Sequence, residues 1–165
     1  MSALPAQTWL GPVVEVSVEA GAWPALEDMR QLAENAVRAV SGATGDGVPA
    51  ECEISVLLTD NAAIRTLNRT WRGKDKPTNV LSFPQPSGPL LGDIVLAAET
   101  VQDEADLAGK PVEAHIAHLM VHGLLHLLGY DHETEVEAEE MEQLEAAALA
   151  EMGVADPYRP SQQGS

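Results

Sequence analysis

The segment VEAHIAHLMVHGLLHLLGYDH, residues 112–132, contains all five histidines of a 165-residue chain. Its apolar spacing predicts a helix from Val112 to Leu128. On that helix His118, His122 and His126 follow at i, i+4 and i+8, and His115 precedes His122 by seven residues. Four imidazoles are therefore expected along one stripe, where adjacent turns can grip one metal ion. His132 could not join them if the helix continued, because six residues beyond His126 lie on another face. Gly129 removes the difficulty: a glycine there takes the left-handed conformation that ends a helix, and Tyr130-Asp131 can swing His132 back.

The pattern His122-x-x-x-His126-x-x-Gly129-x-x-His132 has the spacing of the long zinc motif of metzincin proteases, three imidazoles with an open fourth position. It predicts one zinc ion per chain on His122, His126 and His132, serving hydrolytic chemistry. Such an ion can bring the pKa of a bound water to about 7 and polarise a carbonyl or phosphoryl oxygen. Nickel and copper also suit imidazole-rich sites. Zincin peptidases place a glutamate base directly after the first histidine, whereas this chain has Gly123, which weakens a peptidase reading. Glu113, Asp131 and Glu133 are near in sequence. Asp131 is more simply read as a hydrogen-bond partner of a ligand imidazole or of the turn, so no carboxylate base is assigned.

Outward from this helix, Val13 to Glu19 alternates as a half-buried strand. Ala25 to Val40 places Leu26, Met29, Leu32, Ala33, Ala36 and Val37 at helical spacing and is expected to end before Ser41-Gly42, with a loop from Gly42 to Gly47. Cys52 to Thr59 reads as a buried strand, and Asp60 as the N-cap of a helix running to about Trp71. Asn79 to Phe83 and Leu91 to Ala97 read as strands joined across Pro84, Pro86, Gly88 and Pro89. Glu99 to Ala108 is expected to be helical. So is the acidic segment Thr134 to Met152, whose apolar stripe is Val136, Met141, Leu144, Ala148 and, at its end, Met152. Residues 1–12 and 153–165 are expected to be loose tails. The order of elements indicates a single α+β domain over residues 1–165, with about four strands in one small sheet.

The formal charge of −17 argues against nonspecific binding to nucleic acid or an anionic membrane. Of nine Lys and Arg residues, however, five are Arg65, Arg69, Arg72, Lys74 and Lys76, so a basic patch survives on an acidic protein. No apolar run approaches the roughly 18 residues of a membrane span, and the N-terminus lacks the pattern of a signal peptide, which predicts a cytoplasmic protein. Cys52, the only cysteine, reads as a small buried apolar residue.

The segment His122-Gly-Leu-Leu-His-Leu-Leu-Gly-Tyr-Asp-His132 resembles the signature of the YbeY family of bacterial endoribonucleases and rRNA maturation factors. The block from Leu67 to Pro84 (LNRTWRGKDKPTNVLSFP) and Leu91-Gly-Asp-Ile94 resemble two further blocks of that family. The likeness runs from about Glu53 to Leu144; Asn79 stands where many members carry aspartate. The resemblance implies a small mixed sheet surrounded by helices with a zincin-like metal helix, zinc on His122, His126 and His132, and a functional arginine at Arg72. It further implies processing of the 3′ end of small-subunit rRNA and ribosome quality control, with ribosomal RNA, the small subunit and ribosomal proteins as partners.

That reading is chemically coherent, since Arg72 can fork onto phosphate oxygens while Lys74 and Lys76 add attraction. His118, one turn before His122, is a candidate substrate contact or proton donor, and His115 a weaker one. Ser82 and Thr78 are candidates to line the cleft, and Asp93 to orient a neighbouring group or cap a turn. The leading expectation is a zinc-dependent endoribonuclease for single-stranded RNA. A metalloprotease and a non-catalytic ribosome-assembly factor with structural zinc are the alternatives.

Overall fold

The computed structural model describes residues 11–45, 48–85 and 89–158. Alternating buried side chains build its sheet. In β1 (Val13–Val18) Val14 and Val16 point to one side, as do Ile54, Val56 and Leu58 in β2 (Glu53–Thr59). β4 (Leu90–Ala97) sends Ile94 and Leu96 to that side and Val95 and Ala97 to the other. β3 (Val80–Pro84) puts Leu81 on this second side, with Phe83 beside it. The strand order is β1-β2-β4-β3, with β1, β2 and β4 parallel and β3 antiparallel to β4. Parallel neighbours need crossovers. α1 (Leu26–Thr44) supplies the first, and α2 (Asn61–Arg72) followed by β3 supplies the second. β3 is therefore left as an edge strand.

α1 and α4 (Val112–Leu127) cover the first face, and α5 (Glu135–Glu151) packs on both. Met29, Val37, Ile116, Met120, Leu125, Met141 and Leu149 meet there in the main core. α2 covers part of the second face, closing a smaller cluster of Ile64, Leu81, Val95 and Ala97. α3 (Ala98–Ala108) continues directly from β4. Helix ends follow their capping chemistry: Asp60 accepts from the Ala63 N–H at 2.9 Å, and Thr134 with Glu137 forms a reciprocal capping box at the start of α5.

The expected α+β domain with a four-stranded mixed sheet is the one observed, and Cys52 is buried. Three details differ from the sequence reading. α1 runs through Ser41-Gly42 to Thr44, because Val40 is fully buried, Ala43 packs on the core and the Thr44 hydroxyl donates to the Val40 carbonyl inside the last turn. Gly42 to Thr44 are thus helix and not loop, while residues 46 and 47 lie outside the described part. Val136 is 75% exposed, because the first turn of α5 reaches past the core and its buried side begins at Met141. The stretch from Gly153 to Tyr158, expected within a loose tail, is irregular but anchored. Val154 packs on the core and its N–H bonds Leu149, and the Tyr158 hydroxyl donates to Glu145 of α5. Residues 1–10 and 159–165 of the expected tails lie outside the described residues.

Candidate metal centre

Because 3.6 residues make a turn, each i+4 step advances about 40° around a helix. The four imidazoles of α4 consequently drift to different neighbours. His115 is buried and its Nε2 lies 2.7 Å from Glu104 of α3, which also accepts from Asn79 at 2.9 Å. Burial lowers the His115 pKa, opposed by that glutamate. His118 turns toward α5, its Nε2 2.9 Å from Glu145. Only His122 and His126 face one another, Nε2 to Nε2 at 3.1 Å. The single stripe expected from the sequence is therefore a fan.

α4 ends as the glycine predicts. Gly129 has φ of 101°, its N–H bonds the His126 carbonyl, and the Tyr130 N–H reaches back to Leu125. Asp131 accepts from the His132 backbone N–H at 2.7 Å, so it holds the turn, and this hydrogen bond lowers its pKa. His132 is thereby returned to the end of the helix, its ring centroid 5.2 Å from that of His126 and 5.8 Å from that of His122. One ring nitrogen from each of His122, His126 and His132 lies within 4.8 Å of the others, so the three could hold a metal ion.

The donor set fits a small divalent ion. Nitrogens about 2.0–2.1 Å from a tetrahedral ion stand about 3.3 Å apart, close to the 3.1 Å between His122 and His126. The wider separations involve His132, whose side chain is exposed. Burial, with the neighbouring imidazoles of His122 and His132, lowers the pKa of His126. A neutral ring keeps its lone pair for a metal.

The sequence reading missed Glu145. It projects from α5 into the core, is 1% exposed, and its carboxylate meets three donors. Its oxygens lie 2.6 Å from His122 Nδ1 and 2.9 Å from His118 Nε2, and accept from the Tyr158 hydroxyl. Burial works against its charge, yet these hydrogen bonds outweigh burial and hold its pKa at about 2. A carboxylate on Nδ1 fixes the proton there and leaves the Nε2 lone pair of His122 directed at the triad. The Tyr158 hydroxyl, buried against this anion, is pushed well above the ordinary tyrosine range.

The triad opens into a cleft of about 570 Å³, lined also by Arg72 from the end of α2, by Thr78, Asn79, Val80, Ser82 and Pro84 around β3, and by Asp131 and Glu133. The structure thus brings Arg72, Thr78 and Ser82 to the three histidines. Lys74, Lys76 and His118 are absent from that lining, and Asp93 lies in a separate groove. The basic run is divided: Arg65 forks onto Asp75 at 2.8 and 3.3 Å, with Arg69 at 3.7 Å. Arg72, Lys74 and Lys76 form no ion pair among the described residues. The buried Asn68 donates to the Lys76 carbonyl at 2.9 Å and ties their loop to α2.

Gly123 now has a structural reason. A Cβ there would stand 3.0 and 3.2 Å from the Ile94 side chain and 3.1 Å from Ser82 Oγ, so α4 sits directly on the sheet at this point. Gly123→Glu is expected to lower stability by about 1–3 kcal/mol, the usual cost of overpacking, without producing peptidase activity. Urea denaturation and a peptide-cleavage assay check both parts.

The sequence profile described as Endoribonuclease YbeY matches residues 19–153. An Endoribonuclease YbeY from Methylocella silvestris is 51% identical over 152 residues, covering 90% of this chain and 86% of its own. One from Rhodopseudomonas palustris is 50% identical over 160 residues, covering 92% of each. The solution structure of a Thermotoga maritima protein shares the fold, with a TM-score of 0.57 at 24% identity over 93% of this chain and 99% of that one. With a histidine triad at the end of its buried helix and half of its residues shared with these relatives along nearly its whole length, the chain belongs to the YbeY family.

Proposed function

We propose that this protein is a zinc-dependent endoribonuclease acting on single-stranded regions of ribosomal RNA. Its place is the late maturation of the small-subunit 3′ end and ribosome quality control in the cytoplasm. The observation that carries the reading is the convergence of His122, His126 and His132 with Arg72 in one cleft. The names of its relatives supply the reaction class. His122, His126 and His132 would hold the zinc, and a bound zinc ion supplies Lewis-acid charge at a phosphoryl oxygen. Arg72 presents a planar fork that matches two phosphate oxygens, and it forms no ion pair among the described residues. Lys74 and Lys76, beside the cleft, raise the local concentration of an anionic strand without touching the reacting group. Glu145 acts through His122, holding its orientation.

The rest of the surface supports delivery of the RNA by protein partners. The outward glutamates of α5, among them Glu135, Glu139, Glu140 and Glu142, repel RNA and suit basic ribosomal proteins on the small subunit. Among the described residues no helix is long and apolar enough to cross a membrane.

The test is cleavage of single-stranded and duplex rRNA fragments by metal-analysed wild type, with and without chelator, beside Arg72→Ala. Single strands should be cut, cleavage should stop on chelation, and Arg72→Ala should lose on the order of 100-fold or more in rate, as when an aligned donor to a charged transition state is removed. Equal cleavage by all samples would assign the activity to a contaminant. Tight association of Arg72→Ala with ribosomal particles, without cleavage by wild type, would favour the assembly-factor alternative.

A further inference from the structure

β3 is an edge strand with a cleft on each side. The metal cleft lies on the α4 side of it. On the opposite face, between α2 and the sheet, lies a second groove of about 590 Å³ formed by Leu57, Leu67, Trp71, Phe83 and Val95, with Ser55 and Asp93 as polar edges. Ser82 and Pro84 belong to the walls of both, so only the edge strand stands between the two. Trp71 is 69% exposed although large and apolar, and it meets Phe83 edge-on with ring centroids 6.4 Å apart. Neighbouring residues at the end of α2 thus serve different sides: Arg72 lines the metal cleft and Trp71 the groove.

From these positions we infer that the groove is a nucleobase pocket, in which Trp71 stacks a base flanking the phosphate held at Arg72. The inference rests on the endoribonuclease reading above and names the substrate contact beside its site. Charge selects the occupant. The chain carries −17 overall, yet three cations without ion pairs among the described residues, Arg72, Lys74 and Lys76, alternate with Gly73 and Asp75 in the stretch that follows Trp71. An anionic strand is drawn to this margin and repelled elsewhere. Every base has a π face, so an exposed indole binds single strands with little regard to sequence, whereas bases in a duplex are already stacked. Ser55 and the Asp93 carboxylate, which has no hydrogen-bond partner among the described residues, meet donors on the base edge.

The test uses the full chain in chelator, so that binding is measured without cleavage, and a fluorescein-labelled single-stranded RNA decamer beside the same decamer made abasic. Anisotropy titrations compare wild type, Trp71→Ala, Trp71→Leu, Trp71→Phe and Arg72→Ala. Trp71→Ala and Trp71→Leu should bind the intact decamer about 5- to 100-fold more weakly, Trp71→Phe should stay within a few-fold of wild type, and all four should bind the abasic decamer alike. Since Leu keeps the apolar contact with Phe83 and loses only stacking, a Trp71→Leu protein that binds as wild type does overturns the inference. So does an equal loss on both decamers. If Arg72→Ala weakens binding while the Trp71 variants do not, the base pocket alone fails. If wild type binds neither decamer, the endoribonuclease reading fails with it.

Discussion

His126→Ala is expected to weaken zinc binding by more than about 100-fold, beyond the 10- to 100-fold typical of losing a partner outside the ligand set. RNA cleavage should fall on the order of 1000-fold, the equivalent of the several kcal/mol a metal contributes to charge stabilisation. The loss should be specific. His126 is half-buried near the end of α4, where alanine is a better helix former. The metal-free fold is therefore expected to survive the substitution. Zinc titration against a chromophoric chelator, with urea denaturation of the metal-free protein, separates the two effects. Wild-type zinc affinity in the variant would place the metal elsewhere.

Glu145→Gln should cost nearly as much by another route. The amide offers one oxygen where the carboxylate serves His118, His122 and Tyr158, so the ring of His122 loses its fixed orientation and zinc affinity falls about 10- to 100-fold. Stability of the metal-free protein changes too. The Glu145 pKa lies at about 2 against an ordinary 4.5, a difference worth about 3 kcal/mol. Because the folded value is the lower one, this contribution is complete above pH 4.5 and disappears as pH falls toward 2. Wild type and Glu145→Gln should therefore differ most in urea midpoint near pH 7 and converge between pH 4.5 and 2. A gap independent of pH would mean that the carboxylate charge does not contribute. Tyr158→Phe, which removes one of three donors, should lie between them in zinc affinity.

How far these effects were readable beforehand differs from residue to residue. The triad was legible because its spacing is local: two turns of one helix, a glycine that must adopt positive φ, and a two-residue return. Strand and helix positions were legible from periodicity, with Asp60 and the Ser41-Gly42 pair as opposite cases. The aspartate caps α2 as its type prefers, whereas burial of Val40 overrides the breaking tendency of Gly42. Glu145 was not read because it hides among many glutamates. Its signal was positional, since it lies four residues after Met141 and four before Leu149, both buried, on the inward side of α5. A carboxylate on such a stripe needs partners, and here they are imidazoles from another helix and a hydroxyl from the following turn. The division of the basic run was equally out of reach, because Asp75 pairs with Arg65 and Arg69 only through the geometry of the loop after α2.

The dependence of His122 on Glu145 also sets an order of events during synthesis. A chain emerges from its N-terminus at about 5–20 residues per second, so α4 is available before α5. A nascent chain that reaches only His132 has every nitrogen donor but lacks the anion that orients His122. The oriented site arises only after α5 has docked on α1 and α4 and the turn carrying Tyr158 has closed over it. Metal capture in the mature geometry is therefore expected to be a late folding event, which would keep an incomplete chain from working as the nuclease we propose.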